Sequence, residues 1–159
     1  MLAKAIKESK VHVEPFTVVG IAARTSNARE ATGSGAIGAM WTRLQTEGFL
    51  SRIPHRTDDH VIAVYYDYEN GKDGEYGYLL GARVSSANSI PAGMIAKKVE
   101  SGTYAMFTEE GGPPAQMTVN LWKHIWSLEK PGELERAYKT DYEVHYPNAR
   151  VDVCVGLAR

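Results

Sequence analysis

A chain of 159 residues suits one ordinary domain, or two small halves that share a core. A hydrophobic fraction of 43% and a charged fraction of 23% are those of a folded globular protein and exclude long-range disorder. Lys and Arg (18) nearly balance Asp and Glu (19), and the resulting formal net charge of -1 lacks the basic footprint of a nucleic-acid binder.

The first residues, "MLAKAIKESK", are too polar for the apolar core of a signal peptide, and no apolar run is long enough to cross a bilayer. These features predict a cytoplasmic protein with no membrane partner. From Val11 to Ala23, "VHVEPFTVVGIAA" reads as strand, rich in β-branched residues and interrupted by Pro15. "RTSNAREATGSG" reads as loop. A helix fits "SGAIGAMWTRLQTEG", with Ser34 as N-cap, with Ile37, Met40, Trp41 and Leu44 on one face, and with Gly48 as its stop. "HVIAVYYDYENG" and "EYGYLLGARV" read as a hairpin.

The order then recurs. "MIAKKVESGTYAMFT" is strand material, broken by Gly111, Gly112, Pro113 and Pro114, and "AQMTVNLWKHIWSLEK" is helical. "DYEVHYPNA" and "RVDVCVGLA" make a final hairpin. Cys154, the single cysteine, excludes an intrachain disulfide and reads as a structural thiol in a buried strand.

Both halves therefore run strand, helix, strand, strand. "VEPFTVVG" echoes "VESGTYAM", "IGAMWTRL" echoes "TVNLWKHI", and "YLLGA" echoes "VCVGL", at a spacing near ~80 residues that marks an internal duplication. The expected architecture is α+β: tandem strand-helix-strand-strand repeats, about 11–86 and 94–159, forming one domain. They join in one antiparallel sheet with two helices on one face, leaving a cleft on the pseudo-twofold axis where a small ligand fits.

Several motifs carry no chemistry. "GSGAIG" at residues 33 to 38 matches the dinucleotide fingerprint in letters, but a polar loop precedes it and the next strand turns back as a hairpin, so helix-start glycines are the better reading. His12, His55, His60, His124 and His145 show no metal-ligand spacing with Cys154 or with acids, and no cofactor motif is present.

The aromatic residues say more. Trp41 and Trp122 hold matching positions in the two helices. In the second helix Met117, Leu121 and Ile125 form one stripe, while Val119, Trp122 and Trp126 form another. One stripe covers the sheet; the other either lines a crevice or fills more core. In "TDYEVHYPN", Tyr142, Val144 and Tyr146 share one strand face, and Asp141, Glu143 and His145 share the other. Alternation alone favours a solvent-facing Glu143. The alternative is a carboxylate turned into an aromatic crevice, where it needs a proton or a cation.

"VVGIAART", "IGAMWTRL", "IPHR", "IAVYYDYENGKDGEYGYLLGARV", "IPAG" with "GTYAMFTEEG", "LWKHIW", and "DYEVHYP" followed by "VDVCVGL" resemble, in order and spacing, the GyrI-like effector-binding family. That family includes the drug-sensing domains of AraC-type and MerR-type transcription regulators, and the chain is most similar to stand-alone members, some carried on mobile gene cassettes. The resemblance runs from about Phe16 to the C-terminus. It implies a hydrophobic cleft between the halves, a buried glutamate at Glu143, cleft indoles at Trp41 and Trp122, further rings at Phe107 and Tyr65, and His145 bordering the site.

The expected function is the binding of amphipathic organic cations, drugs or dyes, with a sequestering or regulatory role. Trp41 and Trp122 sandwich the flat body and Glu143 neutralises the charge. No DNA-reading helix pair is left over, so contact with DNA would go through a separate regulatory protein. Two alternatives are a hydrolase of cyclopropane-bearing toxins, with Glu143 as an acid–base of raised pKa, and a gyrase-interacting inhibitor with an acidic patch.

Overall fold

The computed structural model of the protein describes residues 5–158. In chain order its elements are β1 (Lys7–Val13), β2 (Phe16–Ser26), α1 (Asn27–Ala31), α2 (Ile37–Glu47), a 3-10 turn (Phe49–Arg52), β3 (Val61–Tyr66), β4 (Glu75–Val84), β5 (Ile95–Val99), β6 (Gly102–Glu110), α3 (Pro114–Glu129), β7 (Arg136–Tyr146) and β8 (Arg150–Leu157). The strands form one antiparallel sheet in the order β1-β6-β8-β7-β3-β4-β2-β5. Two strand-helix-strand-strand units, β2-α2-β3-β4 and β6-α3-β7-β8, meet where β3 pairs with β7.

Pro15 has no N–H to donate, so the long strand predicted around it splits into β1 and β2. β1 crosses to pair with β6 of the second unit, and β5 crosses to pair with β2 of the first. Val13 lies opposite Gly102 and Phe16 opposite Val99, which is one register continued across both bends. Each unit thus lends an edge strand to the other.

Both helices cover the same face. One line of directly paired residues crosses the sheet there: Ile21, Leu80, Ala63, Glu143, Val153 and Phe107. On its first-unit side, Met40 of α2 packs into a cluster with Phe49, Tyr78 and Leu80. On its second-unit side, Met117, Leu121 and Ile125 of α3 are fully buried against Phe107, Val151 and Val153. Among the described residues no helix covers the opposite face, yet it is also apolar, with Phe16, Val64, Tyr142 and Cys154 in one cluster. Burial pushes the Cys154 thiol up to about 12, which keeps it protonated and unreactive.

Two local expectations need correction around residues 26–37. The stretch read as loop contains the short helix α1, capped where Ser26 Oγ accepts from Arg29 N at 3.2 Å. Ser34 does not cap α2. The carboxylate of Glu30 does so from outside the helix, accepting from Ala36 N at 2.8 Å and Ile37 N at 3.4 Å, and from the Thr25 hydroxyl at 2.6 Å. Gly35 makes this possible, because a Cβ there would stand 1.9 Å from the Glu30 carboxylate oxygen. A negative charge on the first free N–H groups also complements the helix dipole. At the other end Gly48 stops α2 in the left-handed conformation, φ 59°, and its N–H donates to Leu44 O. Glu30→Ala is expected to lower stability by roughly 0.5–2 kcal/mol, the usual cost of a lost N-terminal cap. The check is a urea melt, in which a midpoint unchanged from wild type would contradict this role.

Candidate functional site

Glu143 sits at the centre of the sheet's helix-covered face. Val64 and Tyr142 pair directly on the reverse side, so Tyr65 and Glu143, one residue further along each strand, flank the midpoint of the β3–β7 ladder. Glu143 is 2% exposed. Its Oε2 accepts from the Tyr65 hydroxyl at 2.6 Å and from Trp122 Nε1 at 2.8 Å, and its Oε1 lies 2.8 Å from His145 Nε2. Burial alone raises the pKa of such a group, but the bonds and charge from His145, then those from Tyr65 and Trp122, outweigh it and hold the carboxyl below its ordinary value. The result is a negative charge at neutral pH inside a wall of rings. Tyr65 and Tyr78, buried beside that charge, have their phenols pushed far up and stay neutral.

The space over this charge is a cleft between α2 and α3 with two lobes that share Ile37, Tyr65 and Thr118. The larger, about 630 Å³, is lined by Trp41, Tyr78, Glu143 and His145 together with Asp59 and the start of α3. The smaller, about 260 Å³, is walled by five rings, Tyr65, Tyr68, Tyr76, Trp122 and Trp126. Tyr65 packs against Tyr76, Tyr78 and Trp122 with ring centroids 5.1–5.4 Å apart, and Trp41 meets His145 edge to face at 4.6 Å.

Polar tips lock these rings. Trp41 Nε1 donates to the Tyr78 hydroxyl at 2.9 Å, and the Tyr76 hydroxyl donates to Asn27 at 3.0 Å. Their faces remain for a guest. Val119 and Trp126, from the second stripe of α3, are among the exposed large apolar residues at the mouth.

Five of the residues singled out from the sequence therefore come together: Glu143, Trp41, Trp122, Tyr65 and His145. The two indoles line different lobes, with Tyr65 common to both, which departs from the expected sandwich. Phe107 lies elsewhere. It is fully buried under α3, its ring 5.6 Å from His124, and it lines neither lobe. Its place in Glu143's register line, two strands away, explains the association, but Met117, Leu121 and Ile125 close over that end of the line.

A second buried acid was not anticipated as part of the site. Asp141 is completely buried and accepts from the Tyr68 hydroxyl at 2.5 Å, from Arg136 Nη2 at 2.7 Å and from Gly156 N at 2.8 Å. Arg136 reaches on to Glu129 at 3.5 Å and lies beneath Trp122, 5.3 Å from the ring centroid. Burial opposes its charge, and Asp141 more than restores it. Of this cluster, Arg136 and Tyr68 line the floor of the smaller lobe, and Asp141 is the buried partner of both. The sequence did carry a pointer, because Asp141 shares Glu143's strand face. Tyr76 and Tyr78, also missed, share a face by the same alternation.

Among the described residues, no group of three or more His, Cys, Asp or Glu side chains is placed to hold a metal ion, and no helix is long and apolar enough to cross a membrane.

Known proteins match this arrangement. The curated relative YobU of Bacillus subtilis (strain 168), named as a candidate transcriptional regulator, is 28% identical over 141 residues, covering 88% of this chain and 87% of its own. Among solved structures, the integron cassette protein VCH_CASS2 from the mobile metagenome of Vibrio cholerae superposes with a TM-score of 0.78 at 25% identity, over 94% of this chain and 95% of that one. The protein SAV2435, solved bound to tetraphenylphosphonium, superposes with a TM-score of 0.73 over 95% of this chain and 93% of that one; at 14% identity it shares the fold. The description of the GyrI-like small molecule binding domain matches residues 9–157, almost end to end. The eight-stranded antiparallel sheet with its covering helices is thus the fold that this chain shares with those structures, and the chain belongs to the GyrI-like family of small-molecule-binding domains.

Proposed function

We propose that the cleft between α2 and α3 binds amphipathic organic cations, with Glu143 as the counter-charge. The observation that carries this reading is a 2% exposed carboxylate, kept ionised, behind the rings that line both lobes. A cation about 6 Å away gains roughly 3 kcal/mol at an effective dielectric near 20. Each ring face turned to it adds ~0.5–2 kcal/mol. Together with apolar burial, these terms support micromolar binding, about −8 kcal/mol.

The ligand class follows from the hydrogen bonds. Tyr65, Trp122 and His145 already serve both carboxylate oxygens. A guest needs no N–H or O–H of its own, so shielded or delocalised cations without donors suit the site best. The apolar body would lie against Trp41 in the larger lobe, with one aromatic arm in the five-ring lobe. Hydrolysis with Glu143 as general acid fits less well, because that role calls for a raised pKa and the opposite holds. In the cell the protein would sequester such compounds, or present them to a separate regulatory protein.

The test is tryptophan quenching with tetraphenylphosphonium and with triphenylphosphine oxide, a neutral compound of similar shape. Micromolar binding of the cation, at least about tenfold tighter than the neutral compound, is expected (~1.4 kcal/mol). Equal affinities would sink the reading.

A further inference from the structure

The cleft already contains a group able to play the guest's part. His145 Nε2 holds Glu143 Oε1 at 2.8 Å, and among the described residues no other side chain with a titratable nitrogen is bonded to that carboxylate. The imidazole side chain is 12% exposed and rests edge-on against Trp41, and it lines the larger lobe together with Glu143, so it stands beside the charge at the edge of the space a ligand would fill.

We infer that His145 is the site's built-in counter-cation and sets its charge selectivity: protonated, it neutralises Glu143 and repels cationic guests; neutral, it leaves the charge to the guest, so cation uptake expels a proton. This rests on the proposed binding of cations and adds the residue that decides when they are accepted. In its neutral form the imidazole still donates from Nε2 to Glu143, which keeps the same hydrogen bond while the pair carries one net negative charge. In its protonated form the pair is neutral. An organic cation seated against Trp41 then faces a like charge across a water-poor space.

The surroundings leave this proton as the one to watch. Sharing the larger lobe with His145 are the titratable groups Glu143 and Tyr146 on its own strand, Tyr65 and Tyr78 from β3 and β4, and Asp59 from the loop before β3, with Trp41 and Gln45 from α2 and Thr118 from α3 beside them. Its register neighbours are Val61 and Val151. The carboxylates in this set are Glu143 and the largely exposed Asp59, which lies 3.9 Å from His60. His60 packs on Tyr146 and lines a separate cavity on the helix-free face. It is the control.

The experiment is titration calorimetry with tetraphenylphosphonium from about pH 5.5 to 8.5, the range in which imidazoles change charge, in buffers of different ionisation enthalpy. On the acid side, apparent affinity should fall toward about tenfold per pH unit, with close to one proton released per cation bound. Triphenylphosphine oxide should show no such slope. His145→Gln, which keeps a neutral donor for Glu143, should flatten the cation's profile and release no proton, whereas His60→Gln should keep both effects. Cation binding independent of pH overturns this inference alone, as does a slope that persists in His145→Gln or appears equally with the neutral compound. The last comparison needs no variant. Failure of the cation to bind at any pH overturns the underlying reading as well.

Discussion

Glu143→Gln lowers affinity for a permanent organic cation about 100-fold or more, and leaves a neutral compound of the same shape within a few-fold of wild type. The size follows from removing one unit charge about 6 Å from the ligand, worth roughly 3 kcal/mol at an effective dielectric near 20. Glutamine isolates that charge because the pocket can accept it. Its carbonyl can keep the bonds from Tyr65 and Trp122 now made to Oε2, and its amide can donate to a neutral His145 that carries its proton on Nδ1. Alanine would instead take the acceptor from Tyr65, Trp122 and His145 together, at roughly 1–3 kcal/mol for the buried Tyr65 hydroxyl alone.

Stability provides an independent check with a defined sign. The folded pKa of Glu143 lies below the ordinary 4.5, so the ionised carboxylate's contribution is complete above about pH 4.5 and is lost as pH falls through the folded value. Wild type should therefore lead Glu143→Gln in denaturant melts at neutral pH, and the gap should close in acid. Equal loss of affinity for cation and neutral compound in Glu143→Gln would point to a distorted cleft rather than to a missing charge.

Local periodicity made much of this site readable. Alternation in "TDYEVHY" places Asp141, Glu143 and His145 on one face, and the two stripes of α3 separate the residues that cover the sheet from those at the cleft mouth. Periodicity states which residues share a face but not which face is covered. On β7 the ring-bearing face reads as the inner one, and Tyr142 is indeed buried, 7% exposed, in the helix-free cluster. The acid face is buried too, because α2 and α3 close over it. With edge strands exchanged between the units, little of the central sheet remains for water, and an acid there must find partners.

Contacts between segments were less legible. Glu30 reaches the N-terminus of α2 only because the chain turns through Gly35, and Arg136 reaches Asp141 across a register shift in β7. The tryptophan positions were readable from the duplication, but their division between two lobes depends on Tyr65 and Glu143 holding Trp122 and on Tyr78 holding Trp41. Those are side-chain choices that no spacing encodes.

Asp141→Asn should be among the most destabilising single substitutions at the site, costing about 3–5 kcal/mol. Asp141 and Arg136 are both essentially out of water, at 0% and 3% side-chain exposure, and Arg136 Nε is already buried without a hydrogen-bond partner. The guanidinium has no solvent to fall back on. Asparagine can still accept from Gly156 N through its oxygen, but its amide then points donor to donor at Arg136 Nη2, and the Tyr68 hydroxyl loses the carboxylate oxygen it donates to. Among the described residues Glu129, 3.5 Å from Nη1 and itself engaged by Tyr138, is then the carboxylate left to pair with the buried charge.

A domain of this size typically holds 5–15 kcal/mol in total, so this loss should lower the melting temperature by roughly 6–20 °C. Asp73→Asn is the matched control. Its pair with Lys72 is as close as 3.2 Å but half or more exposed on both sides, so its loss should stay within about 0.5 kcal/mol. Because Arg136 underlies Trp122, the folded fraction of Asp141→Asn should also show altered indole fluorescence. Equal stability of the two asparagine variants would mean that water reaches the floor of the five-ring lobe, and the low-dielectric setting assigned to Glu143 beside it would have to be withdrawn.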